Sequence, residues 1–484
     1  MLISISKLIK MFQRFIVITG WFALITGKSF CQNIAGQLDM AIQKLSADVQ
    51  FKHAVIGLCV TESKTGILVF ATNSELGLAP ASCQKVITSV AAFELLGKGF
   101  RYQTCVGYDG KISNGIIAGN VYITGSGDPT LGSDRWKTTT EAEILKAILG
   151  CLKKNSIRSI TGDIVCDDTR FTNDPLPRGW IWEDIGNYYG AGAWGLNWRE
   201  NQFDITFKTG KKENDATEII STKPSAILKD YTIANFVTTG PTGSGDNGYL
   251  FSSPFQKNII ARGTVPMQNS GFTISGSMPD PPGVFIQRVK SYLQENGIEV
   301  NGSAWSNSAH ELDGKIRVRA KVILDSIASP TLDSINYWLL KKSVNLFGEA
   351  LLKTLAYQSN GVGATDAGIA VVKDFWSLRG VEKSAIKIID GSGLSPANRV
   401  TANSLVTVMQ YAQSRPWFAS FYNALPEANG IKMKDGYING VRSYTGYVKS
   451  KSGVDYTFAL IVNNFDGSAG TAREKMWKVL NVLK

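Results

Sequence analysis

Ser82 and Lys85 stand three residues apart in LAPASCQKVITSVAAFELLG, residues 78–97. On a helix this spacing stacks the two side chains on one face, a single turn apart. A lysine kept neutral by burial or by a nearby like charge can take the proton of a serine hydroxyl and make it a nucleophile. A helix start also favours the negative charge that develops there. Ser-x-x-Lys carries little weight alone, because the chain repeats it at Ser4/Lys7 and Ser384/Lys387. An isolated pair is more often a helix cap beside a solvated lysine. Partners elsewhere in the chain decide between the two readings.

Histidine chemistry has little to work with. The chain holds two histidines, His53 and His310, so a His-rich metal centre is excluded and a Ser-His-Asp triad would rest on one of them. A serine hydrolase without histidine needs a second polar pair to carry the leaving-group proton. It also needs a cation and small residues on an edge strand to hold a substrate carboxylate. The pattern Ser-x-x-Lys, Ser-x-Asn, Lys-Thr-Gly meets these needs. KKSVNLFGE supplies Ser343 and Asn345 at a break in helical periodicity, although by themselves they could serve as helix caps. Lys451-Ser452-Gly453 matches the third motif literally, but VKSKSGVDY reads as an exposed hairpin tip. The alternative is Lys434-Asp435-Gly436, entering a strand in KMKDGYINGV.

These groups need elements to hold them. HAVIGLCVTESKTGILVFAT (53–72) alternates apolar and polar residues around ESKTG, the pattern of a β-hairpin. After Pro80, the residues Val86, Val90, Phe93 and Leu96 recur at helical spacing as one buried stripe, and Gly97 ends the helix. Residues 100 to about 320 are rich in Gly, Asp, Thr and Asn, with short strand-like runs such as GNVYITGSGDPTL. The first long amphipathic helix there is EAEILKAILGCLKK (141–154). Helices return at DSINYWLLKKSVNLFGEALLKTLAYQS and ANSLVTVMQYAQS. Strands follow in which Phe458, Leu460 and Val462 share a face, and EKMWKVLNVLK closes the chain as a helix. A hairpin and helix at the start, strands and a helix at the end, and a different middle predict one domain split by an insertion.

The bulk properties bound the setting. A chain of 484 residues suggests about two to four domains, and 44% hydrophobic with 19% charged residues is a globular composition. Lys7, Lys10 and Arg14 precede the apolar run FIVITGWFALIT, the layout of a signal peptide over 1–31 with cleavage between Cys31 and Gln32. Acylation of Cys31 is the alternative, and Phe30 fits it poorly. The mature chain then keeps 47 basic against 40 acidic residues. This mild excess, without a basic run, suits a carboxylate-rich cell wall and gives no sign of nucleic acid. No later run is apolar enough to span a bilayer. Cys59, Cys83, Cys105, Cys151 and Cys166 remain, an odd number at spacings that fit no metal site; scattered buried thiols are expected, with one disulfide left open.

PASCQKVITSVAAFELLG resembles the Pro-Ala-Ser-Thr-Gln-Lys motif of the class C low-molecular-mass penicillin-binding proteins, the D-alanyl-D-alanine carboxypeptidase/endopeptidase family. GSGDPTL (125–131), GDIVCDDTRF (162–171), KKSVNLFGEALL, DGSGLSPANRV (390–400) and KDGYINGVRSYTGY match in the family's order. The resemblance implies an α+β protein whose transpeptidase/β-lactamase-like domain, an antiparallel sheet flanked by helices, spans 32–98 and 322–484. Two sheet-rich domains would be inserted, one over 99–190 and 285–321, the other over 191–284. It makes Ser82 the acylated nucleophile, Lys85 its base, Ser343 and Asn345 the proton relay and amide contact, and Lys434 the cation, demoting Lys451. Gly436 would leave room on the edge strand. The backbone N–H groups of Ser82 and Tyr437 would form the oxyanion hole. Asp184 and Tyr189, in GWIWEDIGNYYG, and Asn439 would meet the side chain of the peptide's diamino acid. An arginine common after the DGSGLS run is missing here: Pro396 stands there, and Arg399 is not equivalent. The DGSGLS run itself reads as a turn that shapes the site floor.

Asp435 departs from the family, which has Thr or Ser at this point. An ionised aspartate cannot donate a hydrogen bond to a substrate carboxylate. It either pairs with Lys434 or another cation, or stays protonated and donates. The implied activity is periplasmic or secreted cleavage of peptidoglycan peptides through an acyl-enzyme, with β-lactams as covalent inhibitors and no metal or cofactor. A β-lactamase-like hydrolase and a catalytically weakened wall-binding homologue are the alternatives.

Overall fold

The computed structural model describes residues 34–268 and 270–484. The leader read over 1–31, with its cleavage or acylation at Cys31, lies outside them. The central sheet is built from both ends of the chain. Its strands are β1 (Val55–Glu62), β2 (Leu68–Thr72), β3 (Glu427–Ala428), β4 (Ile431–Ile438), β5 (Val441–Lys449) and β6 (Asp455–Asn463). They lie in the order β2-β1-β6-β5-β4-β3, antiparallel throughout. The ESKTG turn joins β1 to β2 as the pattern predicts. Lys451 to Gly453 form the exposed tip between β5 and β6.

Both faces of this sheet are covered. Phe458, Leu460 and Val462 point into one buried cluster with Ile56, Leu58 and Val60. Ala459 and Ile461 point into another with Cys59. The interior of β1 is therefore buried without a break, not alternately. The polar members of the alternation are Gly57, Cys59 and Thr61, small enough to lie under a covering layer. A helix over 34–46 and the helix Ala469–Leu480 cover the first face. The second face carries α1 (Lys85–Leu96), α2 (Leu332–Lys341), α3 (Asn345–Asn360) and the helix Ala402–Gln413.

α1 is buried on every side from Lys85 to Phe93, a wider burial than the stripe Val86-Val90-Phe93 predicts. Its small residues, Ala91 and Ala92, let neighbouring helices close around it. Gly97 ends it with φ of 80°, its N–H returning to Phe93 O.

Between α1 and α2 the chain builds separate sheets. One has five strands, among them Gln103–Tyr108, Val121–Thr124 and Ile164–Asp167. Another has three, centred on Gln202–Lys208. A single buried cluster runs from Val106 to Ala304 through these sheets and the helices Glu141–Lys154 and Pro281–Glu295. The second helix is missing from the sequence reading, although its signal is present: Asp280 caps Gly283 N at 2.9 Å, and Pro281 opens the first turn. The molecule is α+β. Among the described residues no helix is long and apolar enough to cross a membrane.

Candidate active site

Ala81–Gln84 make a tight 3-10 turn, and α1 takes over at Lys85. Ser82 thus lies in the turn ahead of the helix. Ala81 enters that turn with φ of 45°, a left-handed conformation that costs a non-glycine residue about 1 kcal/mol. The surroundings enforce it. Ala81 is fully buried, and left-handed Gly393 packs directly on its carbonyl.

Lys85 is fully buried, and its ammonium nitrogen has three acceptors. Ser82 Oγ is at 2.9 Å, Asn345 Oδ1 at 2.6 Å and the Ser392 carbonyl at 2.8 Å. Burial, followed by the ammonium of Lys434, lowers its pKa to about 7, against the pull of Asp390, Glu349 and Asp435. Asn345 opens α3, and its Nδ2 donates to Tyr189 O at 2.7 Å, which leaves Oδ1 facing Lys85. Ser343 sits in the break between α2 and α3 with φ of 57°. Its hydroxyl makes no hydrogen bond among the described residues, so the structure links Asn345, and not Ser343, to the Ser82–Lys85 pair.

The strand β4 closes the other side. The Lys434 side chain is buried, and its Nζ donates to Asp435 Oδ1 at 3.0 Å and Asp435 O at 2.6 Å. The carboxylate itself is about half exposed, at 51%. Burial pushes its pKa up, but Lys434, with Arg442 further off, outweighs this and holds it below the usual carboxylate range. Of the two arrangements open to Asp435, this is the ion-paired one. β3 pairs with β4 only at Ile431 and Lys432, so beyond Met433 the β4 edge carries no partner strand. Gly436 packs against the turn that carries Ser82. A Cβ there would come 2.6 Å from Pro80 O and 2.9 Å from Ser82 N, too close for any side chain. Ser443 of β5 donates to the same Pro80 carbonyl. Tyr437 is exposed under the Arg442 guanidinium, 5.4 Å from its ring centroid. Asn439 lies exposed in the β4–β5 turn and its side chain hydrogen-bonds nothing among the described residues.

Beneath Lys85 lies a polar floor. The buried Asp390 carboxylate accepts from Gln84 Nε2 (2.9 Å), Gly393 N (2.7 Å), Asn398 Nδ2 (3.0 Å), Ser395 N (2.7 Å) and Trp180 Nε1 (2.9 Å). The DGSGLS run is thus a turn folded round its own aspartate. Glu349, one turn after Asn345 on α3, accepts from Gly391 N with both oxygens. Burial, then the nearby Asp390, raises its carboxyl pKa. Glu349 and Trp180 are absent from the sequence reading. Glu349 had a usable signal, the i, i+4 spacing from Asn345 within the apolar run LFGEALL.

The stretch 179–190 of the inserted chain forms a side wall. Tyr189 stands beside Asp184, whose carboxyl pKa is raised by burial. Ile181, Trp182 and Tyr188 are exposed beside them. Fully buried Lys353 of α3 anchors flanking chain, donating to Asp174 O at 2.6 Å and Ala193 O at 3.1 Å. Arg399 spends its Nη1 on the carbonyls of Pro396 and Asn398.

A six-stranded antiparallel sheet, a helical layer carrying Ser82 and Lys85, and extra sheets inserted between α1 and α2 define a penicillin-binding-protein type of fold. The likeness is direct: the structure of penicillin binding protein 4 from Haemophilus influenzae superposes with a TM-score of 0.77 at 21% identity, covering 92% of this chain and 99% of that one. The chain belongs to the D-Ala-D-Ala carboxypeptidase 3 (S13) family, whose model matches residues 38–482. It is 27% identical over 458 residues to a D-alanyl-D-alanine carboxypeptidase of Actinomadura sp. strain R39, spanning 89% of this chain and 82% of that protein. It is 22% identical over 420 residues to the D-alanyl-D-alanine carboxypeptidase DacB of Haemophilus influenzae, spanning 81% and 82%.

Proposed function

We propose that this chain is a serine D-Ala-D-Ala carboxypeptidase that also cleaves peptidoglycan cross-links, working through an acyl-enzyme on Ser82. The observation that carries the reading is the buried Lys85 amine, 2.9 Å from Ser82 Oγ and with its pKa lowered to about 7. In this reading neutral Lys85 takes the hydroxyl proton as Ser82 Oγ attacks the carbonyl of the penultimate D-alanine. The oxyanion meets the N–H groups of Ser82 and Tyr437 beside Gly436. The proton that Lys85 took passes through the Ser343 hydroxyl to the departing amine while Asn345 holds the substrate amide, and water then releases the acyl group, with Lys85 again as base. The open edge of β4 lets an extended peptide add as a further strand.

Lys434 would face the terminal carboxylate, with Asp435 beside it. Asp184 and Tyr189 would meet the amine of a diamino acid side chain, with Asn439 at the rim. The catalytic part, expected over 32–98 and 322–484, resumes only after Val322–Ala328, which pairs with Gln103–Tyr108 in the inserted five-stranded sheet; the insertions are taken as 99–190 with 285–321 and that strand, and as 191–284. The setting is periplasmic or secreted, and β-lactams are inhibitors. A structure of the Haemophilus influenzae relative holds a β-lactam, which supports the last point by likeness.

The test is incubation with a synthetic stem peptide ending in D-Ala-D-Ala and with cross-linked muropeptide dimers, followed by chromatography. Release of D-alanine and conversion of dimers to monomers are expected. If neither product forms, the enzyme reading falls, and a wall-binding protein weakened by Asp435 takes its place. Rapid turnover of penicillin without a lasting adduct would favour the β-lactamase-like alternative.

A further inference from the structure

Two of the three acceptors around Lys85 Nζ are held by the inserted chain, not by the sheet or helix that carries the lysine. Asn345 is turned toward Lys85 by its bond to Tyr189 O, at 2.7 Å. The Ser392 carbonyl belongs to the turn 390–395, and that turn is gripped at two points. Trp180 Nε1 donates to Asp390 Oδ2 at 2.9 Å, and Ser395 Oγ donates to Gly179 O at 2.7 Å. Gly179, Trp180 and Tyr189 fall within one short stretch. Trp180 has one polar hydrogen, and it is spent on Asp390.

We infer that Trp180 is a positioning residue for Lys85, acting through Asp390 on the turn whose Ser392 carbonyl aims the amine at Ser82. The inference rests on the reading of Ser82 and Lys85 given above. Asp390 keeps four other donors, from Gln84, Gly393, Asn398 and Ser395. Loss of the fifth leaves the turn folded and frees it to shift. A displacement of about 1 Å in a catalytic group costs on the order of 100-fold in rate. The charged groups facing Lys85 are Lys434 and Asp435 from β4, Glu349 from α3 and Asp390 from the turn. None of them is removed by a change at Trp180, so any change in its titration reports the geometry of its acceptors. A Ser392 carbonyl that moves away stabilises the ammonium less, so the amine loses its proton at lower pH.

Trp180→Phe keeps an aromatic ring, smaller than the indole, and deletes the N–H. The experiment measures acylation by a fluorescent penicillin from pH 5 to 9, with thermal unfolding alongside. For the variant, an acylation plateau lower by about tenfold or more, an acid limb displaced to lower pH and an unchanged unfolding midpoint are expected. Added to Asp390→Asn, Trp180→Phe lowers the rate no further, because the two act through one contact. A wild-type protein that is not acylated at all removes the underlying reading. A wild type that is acylated and a variant with the same plateau and limb overturn the role of Trp180. So does a lower plateau with an undisplaced limb, or additive losses in the double variant. A variant that fails to fold also overturns it, since the four remaining donors are claimed to hold the turn.

Discussion

Among single residues, one amine and one carboxylate matter most to the proposed chemistry. The pKa of Lys85, lowered to about 7, sets the sign of the pH dependence. In the proposed mechanism the neutral amine is the working form, so acylation is expected to fall about tenfold per pH unit on the acid side of pH 7 and to level off above it. Stopped-flow labelling across pH reads this directly; a flat profile from pH 5 to 8 would remove Lys85 as the base. In the proposed reading Asp435 bears on selectivity. At contact range a carboxylate repels a substrate carboxylate by about 1 to 4 kcal/mol, depending on screening. Asp435 is about half exposed and already paired with Lys434, so the low end applies, about 1 kcal/mol or roughly fivefold. Asp435→Thr is expected to raise penicillin acylation at neutral pH by about that factor. Hydrolysis of a peptide amidated at its terminus should change little. Slower or unchanged acylation of the variant would mean that the pair is no handicap to carboxylate binding.

At the scale of elements, the site is a contact between a tight turn and a strand edge. Gly436 is where they touch. A methyl group there would meet the Pro80 carbonyl and the Ser82 amide, both backbone, which cannot swing aside. Gly436→Ala is expected to push β4 away from the nucleophile turn and lower acylation by about 10- to 100-fold with a small loss of unfolding temperature. A variant acylated at the wild-type rate would dissociate the β4 edge from the reaction. Much at this scale was legible in the sequence. The hairpin at 55–72, the helix ended by Gly97, the exposed tip at Lys451 and the break at Ser343 follow from local turn chemistry and periodicity. The left-handed Ala81 was not legible, because it belongs to a tertiary contact in which Gly393, more than three hundred residues away, packs on its carbonyl. Nor was the pairing of Asp390 with Trp180, or of Glu349 with Gly391. Buried polar groups choose their partners through the tertiary fold, and sequence spacing carries no record of it. The sequence left Asp435 with two arrangements for the same reason: burial and the adjacent Lys434 push its protonation in opposite directions, and only geometry decides.

At the scale of the whole molecule, the inserted sheets are joined to the catalytic layer by polar clamps from Lys353, Asn345 and Asp390. The wall bearing Asp184 therefore stands in fixed relation to Ser82. Asp184→Ala is expected to weaken cleavage of peptides with a free amine on the diamino acid side chain, and to affect a minimal D-Ala-D-Ala mimic much less. Kinetics on the matched pair of substrates separates recognition from architecture, and equal losses on both would make Asp184 structural. Whether the reaction runs through Ser82 is read by intact-mass spectrometry after incubation with benzylpenicillin, followed by peptide mapping. One added penicilloyl group is expected on the peptide containing Ser82, and none on the folded Ser82→Ala variant. A wild-type protein without the adduct, or an adduct that persists in Ser82→Ala, would contradict a reaction through Ser82.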